Sequence, residues 1–348
     1  MNATMKATIV PEKGKTQVVD VPVPSVGKGQ ILVKNHATGL NPTDWKHRDF
    51  ITPPNAWLGC DFAGVVEKVG EGVTNVKEGD RVAGFVHGGL WEGEGSFAEK
   101  VVATGSLVWK VPENVPFEEA AAAGGIGPWT AIQALYMRLG LAPPSAPTKD
   151  AEPILVWGGS TSVGLYAVQL LKLSGYKVIA TASEKNWDLV KSFGANEVYS
   201  YSDPATPSAI AKANPTLSKA LDTISEKGTT VAIAKAISEA SGKGHVVTLL
   251  PVQDEGLKSY EAVKVEPTLV YTVLGVAFNM MGHEYPVMPD DKKQMEEWLA
   301  TQIPSLFASG KLRSNPVLLF EGGLEAVPKG LDFIKEGKNS AQKVVFKI

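Results

Sequence analysis

A single cysteine, Cys60, stands in 348 residues. No intrachain disulfide can form, and a zinc site built from several thiolates is excluded. Also missing is any apolar run approaching the roughly 20 residues that a spanning helix needs. The opening stretch, MNATMKATIV, lacks the charged, apolar and small-residue succession of a signal peptide. A cytoplasmic location without membrane partners is therefore expected. Basic blocks are absent as well: the net charge is -3, which argues against a nucleic-acid surface and leaves small molecules or proteins as partners.

What the chain does hold is the composition of a globular enzyme, 44% hydrophobic and 20% charged. At this length one core rarely suffices, so two domains are expected. Up to about residue 125, β-rich runs such as QILVKNHATGL and GDRVAGFV alternate with turn signals such as PVPSVGKG and GEGVTNVKEGD, predicting a mainly β domain. FEEAAAAGGIGPWTAIQALYMRLG predicts two short helices, the second starting near Pro128. From Ile154 to about Phe278, strand-like runs (ILVWG, KVIATA, EVYSY, ALDTI, GHVVTLL, LVYTVLGV) alternate with helical segments. That alternation predicts an α/β fold with a parallel, doubly wound sheet. The tail predicts two helices and a closing strand, QKVVFKI, that returns to the first domain and makes it discontinuous.

The stretch ILVWGGSTSVGLYAVQLLKLSGYKVIAT, beginning at Ile154, reads as strand, glycine turn, helix and strand. Gly159 and Gly164 fit the first and third glycines of a dinucleotide fingerprint, with Thr161 where the middle glycine lets backbone approach a pyrophosphate. The first turn of the helix, with Val163, favours an anion. Hydroxyls of Ser160, Thr161 and Ser162 are candidate phosphate donors. An acid at the end of the second strand would pair with a ribose 2′-OH, but its usual place falls near Ala182. Ser183, Lys185 and Asn186 follow instead, a neutral-to-basic group suited to a 2′-phosphate; Glu184 is the dissenting residue, though at a turn it can point to solvent. NADPH is therefore expected rather than NADH. Tyr201 either stacks on adenine or edges the core.

Beside NPTDWK, LGCDFAGVVEKVG, GDRVAGF and GANEVYSYSDP, the glycine turn makes the chain resemble the medium-chain dehydrogenase/reductase superfamily over essentially its whole length. The resemblance implies a GroES-like β-rich catalytic domain of residues 1–125 and 287–348, with a Rossmann NADPH-binding domain of residues 126–286 inserted. It places the cofactor in the intervening cleft, its nicotinamide facing the catalytic domain. Zinc enzymes of the superfamily carry a cysteine, a GHE-type motif and a further cysteine. Here Asn41 stands at the first position, Cys60 and Asp61 at the second, and GGIGPWTA supplies no cysteine. No metal is expected, since two ligands do not make a catalytic zinc site. The chain looks like the zinc-independent branch, which includes quinone oxidoreductases, and is most similar there to the trans-acting enoyl reductases serving fungal polyketide synthases.

Without a Lewis acid, a C=C conjugated to a carbonyl is the expected hydride acceptor, and hydrogen-bond donors stabilise the charge that builds on the carbonyl oxygen. On the segments that the resemblance puts at the nicotinamide, Lys46 donates to that carbonyl or a cofactor ribose, or else is a solvated lysine. Asn41, Pro42 and Thr43 are expected at the nicotinamide ribose or substrate. Thr130 touches nicotinamide or substrate, or only caps its helix. Leu250 and the backbone of Leu274, Gly275 and Val276 are further cofactor contacts. Phe278, Met280, Met281 and Tyr285 line an acyl pocket, or else serve packing or a subunit interface. The substrate expected is an enoyl thioester, carrier-bound in transient complex with a polyketide synthase. Two alternatives stay open: an NADPH-dependent quinone oxidoreductase, and a noncatalytic NADPH-binding regulatory protein. Monomer and homodimer are equally compatible.

Overall fold

The computed structural model describes residues 3–348 and divides the chain into two compact units: everything up to Gly127 together with Tyr271–Ile348, and Pro128–Val270. The chain thus re-enters the first unit at Tyr271, not at residue 287, and the segment 271–286 belongs there.

The first unit is organised on a seven-stranded sheet. Its path runs through Val317–Phe320, Lys343–Lys347, Gln30–Gly39, Asp61–Val69, Arg81–Phe85 and Val108–Lys110, with Lys100–Thr104 also paired to Gln30–Gly39. The ten-residue strand Gln30–Gly39 changes partners along its length. Its first half pairs with Lys100–Thr104 and its end with Lys343–Lys347, which brings the C-terminal tail against the β-rich N-terminal region. Register shifts between Leu32 and Val33 and between Asn35 and Ala37 bend it between those partners. Gly64 lets the neighbouring strand close in, since a Cβ there would meet the Lys34 carbonyl oxygen at 2.0 Å. Ile31, Val33, Phe62, Val66, Val82 and Val101 are buried together as one core; Leu40, Leu58 and Phe346 form another with the helix Val327–Lys335.

The second unit holds six parallel strands in the order Glu197–Tyr199, Lys177–Thr181, Pro153–Trp157, Lys219–Asp222, Gly244–Thr248 and Val263–Pro267. PILVW is buried along its whole length, as a central strand covered on both faces must be. Successive strands are laid outward from this strand in one direction and then, after the crossover, in the other. The reversal between Pro153–Trp157 and Lys219–Asp222 is where such sheets bind ligands, beyond the strands' carboxyl ends.

One expected strand is absent from its place. LVYTVLGV forms a 3₁₀ helix over Val270–Leu274, and the last strand is VKVEP instead. Pro267, lacking an N–H, ends the ladder. Thr268 then closes against the carbonyl of Thr248 at 2.8 Å.

Candidate active site

In the second unit, Trp157 leads into Gly158, whose φ of 83° turns the chain sharply toward the helix Ser162–Leu173. Thr161 is the N-cap of that helix. Its Oγ1 accepts from the Gly164 N–H at 2.9 Å and donates to Thr223 Oγ1 at 3.0 Å, tying the two strand ends at the switch point together. This explains the threonine: its hydroxyl and its N–H, which donates to the Gly158 carbonyl, build the turn and leave phosphate contact to other groups. A Cβ on Gly164 would lie 2.2 Å from the Gly158 oxygen, so the third glycine sets how closely helix and strand pack. Ser160 and Ser162 are half-buried, while Gly159 and Val163 are buried. The first-turn N–H groups of a twelve-residue helix converge on this turn, and the cradle fits a dinucleotide pyrophosphate.

At the end of Lys177–Thr181, Ser183 precedes the short turn Glu184–Asn186, and Asn186 donates to Ser183 Oγ at 3.2 Å. Lys185 and Glu184 are exposed, and the place of a ribose-binding acid is filled by buried Ala182. Tyr201 is 55% exposed, so it does not edge the core. The Leu250 carbonyl accepts from Thr248 Oγ1 at 2.8 Å, which leaves its backbone in a fixed turn after that strand.

Thr130 is buried in the helix Ile126–Ile132, four residues beyond its first residue. It is not a cap.

In the first unit, Asn41 caps the short helix Pro42–Lys46, with the Asp44 carboxyl accepting the Asn41 N–H at 2.7 Å. The side chain of Asn41 is committed elsewhere. Its Nδ2 donates to Asp61 Oδ2 at 2.9 Å, and its Oδ1 accepts from Lys343 Nζ. Lys343 also pairs with Asp61 at 2.8 Å, both side chains being almost wholly buried. Asp61 Oδ1 takes the Ile126 N–H at 2.8 Å. Asn41 therefore ties the start of the helix to Asp61 and Lys343. Pro42, at the first helical position, is exposed.

Thr43 and Lys46 ride on this helix, both half-buried, and the Lys46 ammonium lies 5.7 Å from the Trp45 ring centre. Thr43 Oγ1 is 2.8 Å from the Tyr271 hydroxyl and 3.1 Å from His47 Nδ1. That nitrogen also sits 2.9 Å from the Thr43 carbonyl, which only accepts, so Nδ1 carries the proton. Tyr271 reaches within 3.7 Å of Cys60 Sγ. Burial pushes the Asp44 carboxyl up to about 7 and raises the Cys60 thiol and the Tyr271 phenol well above their usual ranges. These groups are neutral or poised near neutrality.

Leu274 ends the 3₁₀ turn, Gly275 has a φ of 69° with its N–H bonded to the Thr272 carbonyl, and Val276 is exposed. Phe278–Met280 and His283–Tyr285 then form a hairpin through Met281 and Gly282, both at positive φ. Phe278 and Met281 line a cavity of about 430 Å³ with Ile51, Leu90, Trp91 and Ala277. Tyr285 stacks on Phe278 at 4.8 Å, and neither Tyr285 nor Met280 is among the lining residues. Two of the four expected acyl contacts therefore form a wall; one of the others supports it.

Comparison with known proteins agrees with this geometry. Residues 27–113 match the family of the alcohol dehydrogenase GroES-like domain, and residues 162–288 that of the zinc-binding dehydrogenases. Trans-enoyl reductase ACTTS2 of Alternaria alternata is 41% identical over 99% of both chains. The chain belongs to the trans-enoyl reductase family of medium-chain dehydrogenase/reductases. Trans-enoyl reductase resD of Aspergillus sclerotiorum is 34% identical over 99% of this chain and all of that one. The fold is shared with an alcohol dehydrogenase superfamily protein from Novosphingobium aromaticivorans, at 23% identity and a TM-score of 0.79 over 99% of this chain and 100% of the other.

Within this family the zinc of the second matching description has no home here. Asp61 already answers the Lys343 ammonium, Asn41 is bonded to both, and the Cys60 thiol is held protonated by burial. Among the described residues no group of three or more histidines, cysteines, aspartates or glutamates is placed to hold a metal ion. Nor, among those residues, is any helix long and apolar enough to cross a membrane.

Lys343, Tyr271, His87 and Trp91 escaped the sequence reading. Only the first carried a usable signal, as a lysine at the head of an apolar closing strand.

Proposed function

We propose that this trans-enoyl reductase uses NADPH to reduce the C=C of an α,β-unsaturated acyl thioester, without a metal, on a chain carried by a polyketide synthase. The observation that carries the reading is the match to a trans-enoyl reductase across 99% of both chains. The cradle around Gly158, Thr161 and Gly164 supports a bound dinucleotide, and Ser183, Lys185 and Asn186 in place of an acid support the 2′-phosphate. Tyr201 offers an exposed face for adenine. Bound NADPH supplies the hydride.

The protein's part is to bind, orient and hold protons. Ser160, Ser162 and the first helical N–H groups would grip the pyrophosphate. Thr43 and Lys46 would donate to a ribose hydroxyl or to the thioester oxygen, where negative charge builds as the β-carbon is reduced. The hydrogen-bonded set Asn41, Asp61 and Lys343 keeps the Thr43–Lys46 helix in place. The cavity beside Phe278, Met281 and Trp91 takes the acyl chain.

The test follows loss of NADPH absorbance with a short enoyl thioester, a longer polyketide-like enoyl thioester and a simple quinone, each repeated with NADH and with a chelator. Thioester-dependent oxidation that prefers NADPH and ignores chelator is the expected result. Turnover on quinone alone would replace this reading with a quinone oxidoreductase. NADPH binding without turnover, even on a carrier-bound enoyl chain, would make the protein a cofactor-binding regulator.

A further inference from the structure

His87 is 1% exposed, and neither of its ring nitrogens has a hydrogen-bond partner within the protein. Buried polar groups are nearly always paired, and an unpaired one is expensive. Aromatic rings surround it: Tyr271 stacks on its face at 3.8 Å, while Phe278 and Trp91 meet it edge-on at 5.0 and 5.3 Å. The last two are also walls of the 430 Å³ cavity. They differ in how firmly they are held. Phe278 is pinned in its hairpin and against Tyr285, whereas Trp91 is 36% exposed and lies between Gly89 and Gly93, both at positive φ. A second unpaired atom, His47 Nε2, belongs to a ring 5.9 Å from that of His87.

We propose that His87 is a specificity determinant of this cavity, hydrogen-bonding an uncharged oxygen substituent on the acyl chain seated there when Trp91 turns aside. The inference rests on the enoyl thioester reading and narrows it to chains that keep oxygen beyond the reacting double bond. Burial, with His47 beside it, holds the His87 ring neutral, so it presents one N–H donor and one acceptor nitrogen. A hydroxyl or ketone satisfies such a group. A carboxylate or phosphate would be desolvated there without a counter-charge.

The experiment compares kcat/KM of the purified protein with NADPH on enoyl thioesters of equal length. One is unsubstituted, and the others carry a single hydroxyl or keto group at successive carbons beyond the double bond. At least one substituted chain should be preferred about tenfold or more, the discrimination one satisfied buried hydrogen bond supports. His87→Phe should bring that ratio to about one, and His87→Gln, which keeps a donor and an acceptor, should restore much of it. If the wild type reduces the unsubstituted thioester and prefers no substituted chain, this inference is overturned while the enoyl reductase reading stands. An unchanged ratio in His87→Phe overturns it equally. Should the wild type reduce none of the thioesters, free or carrier-bound, the parent reading fails and this one falls with it.

Discussion

Lys343→Met tests whether one buried ion pair holds the N-terminal end of the candidate site. The Lys343 ammonium lies 2.8 Å from Asp61 Oδ2, with side chains 2% and 0% exposed, and it also donates to Asn41 Oδ1. Removing the cation strands the Asp61 carboxylate in the interior, and breaking a buried pair from one side costs about 3–5 kcal/mol. Two donors would remain on Asp61, the Ile126 N–H at 2.8 Å and Asn41 Nδ2 at 2.9 Å, so the lower end, about 3 kcal/mol, is expected. For a unit of this size that is a fall in Tm of about 6–12 °C. Adding Asp61→Asn should recover most of it. The freed Asn41 amide can then flip, accepting from the new amide N–H₂ while the Ile126 N–H still finds an oxygen. Thermal unfolding followed by circular dichroism on both single variants and the double variant yields the coupling, expected at about 2 kcal/mol or more. A loss below about 1 kcal/mol in Lys343→Met, or strictly additive effects, would refute the reasoning.

Three other outcomes follow from the geometry. The Asp44 carboxyl has a folded pKa of about 7 against an ordinary 3.8, so the folded state binds the extra proton between those values and stability from this group falls as pH rises through that window. Asp44→Asn should therefore gain Tm over wild type at pH 8 but not near pH 4, with a ceiling of about 4 kcal/mol at about 1.4 kcal/mol per pKa unit; melting curves at both pH values check it. Gly164→Ala puts a Cβ 2.2 Å from the Gly158 oxygen, so about 1–3 kcal/mol of stability and at least about tenfold in NADPH affinity should be lost, as read by melting and fluorescence titration. Ser183→Asp sets a negative charge where the 2′-phosphate is proposed, and should shift the NADPH to NADH preference by about tenfold or more toward NADH in initial-rate measurements.

Local pattern made much of this protein legible. A strand's run of apolar residues, the glycine turn after it and the amphipathic helix that follows all lie within thirty residues, and each feature obeys nearest-neighbour physics: φ at Gly158, capping by Thr161, burial of PILVW. The parallel sheet and the dinucleotide cradle followed from them. Even there, the sequence pointed the Thr161 hydroxyl at a phosphate, whereas in the fold it caps the helix and bonds to Thr223, a residue 62 positions away. Pro267 was in view too, yet the apolar run LVYTVLGV suits strand and buried turn equally by composition, and only the arrested ladder chose between them.

The rest depended on contacts between residues far apart in the chain. Nothing near Asn41 announces that a lysine 302 positions later will bind it, or that Tyr271 will lie between Thr43, Cys60 and His87. By sequence alone the chain set its fold class, its cofactor turn and the poverty of metal ligands, since those are written in periodicity, spacing and residue type. Tertiary structure alone decided which polar side chains are buried and paired and which are buried without a partner, because burial and pairing are properties of packing that no local stretch contains.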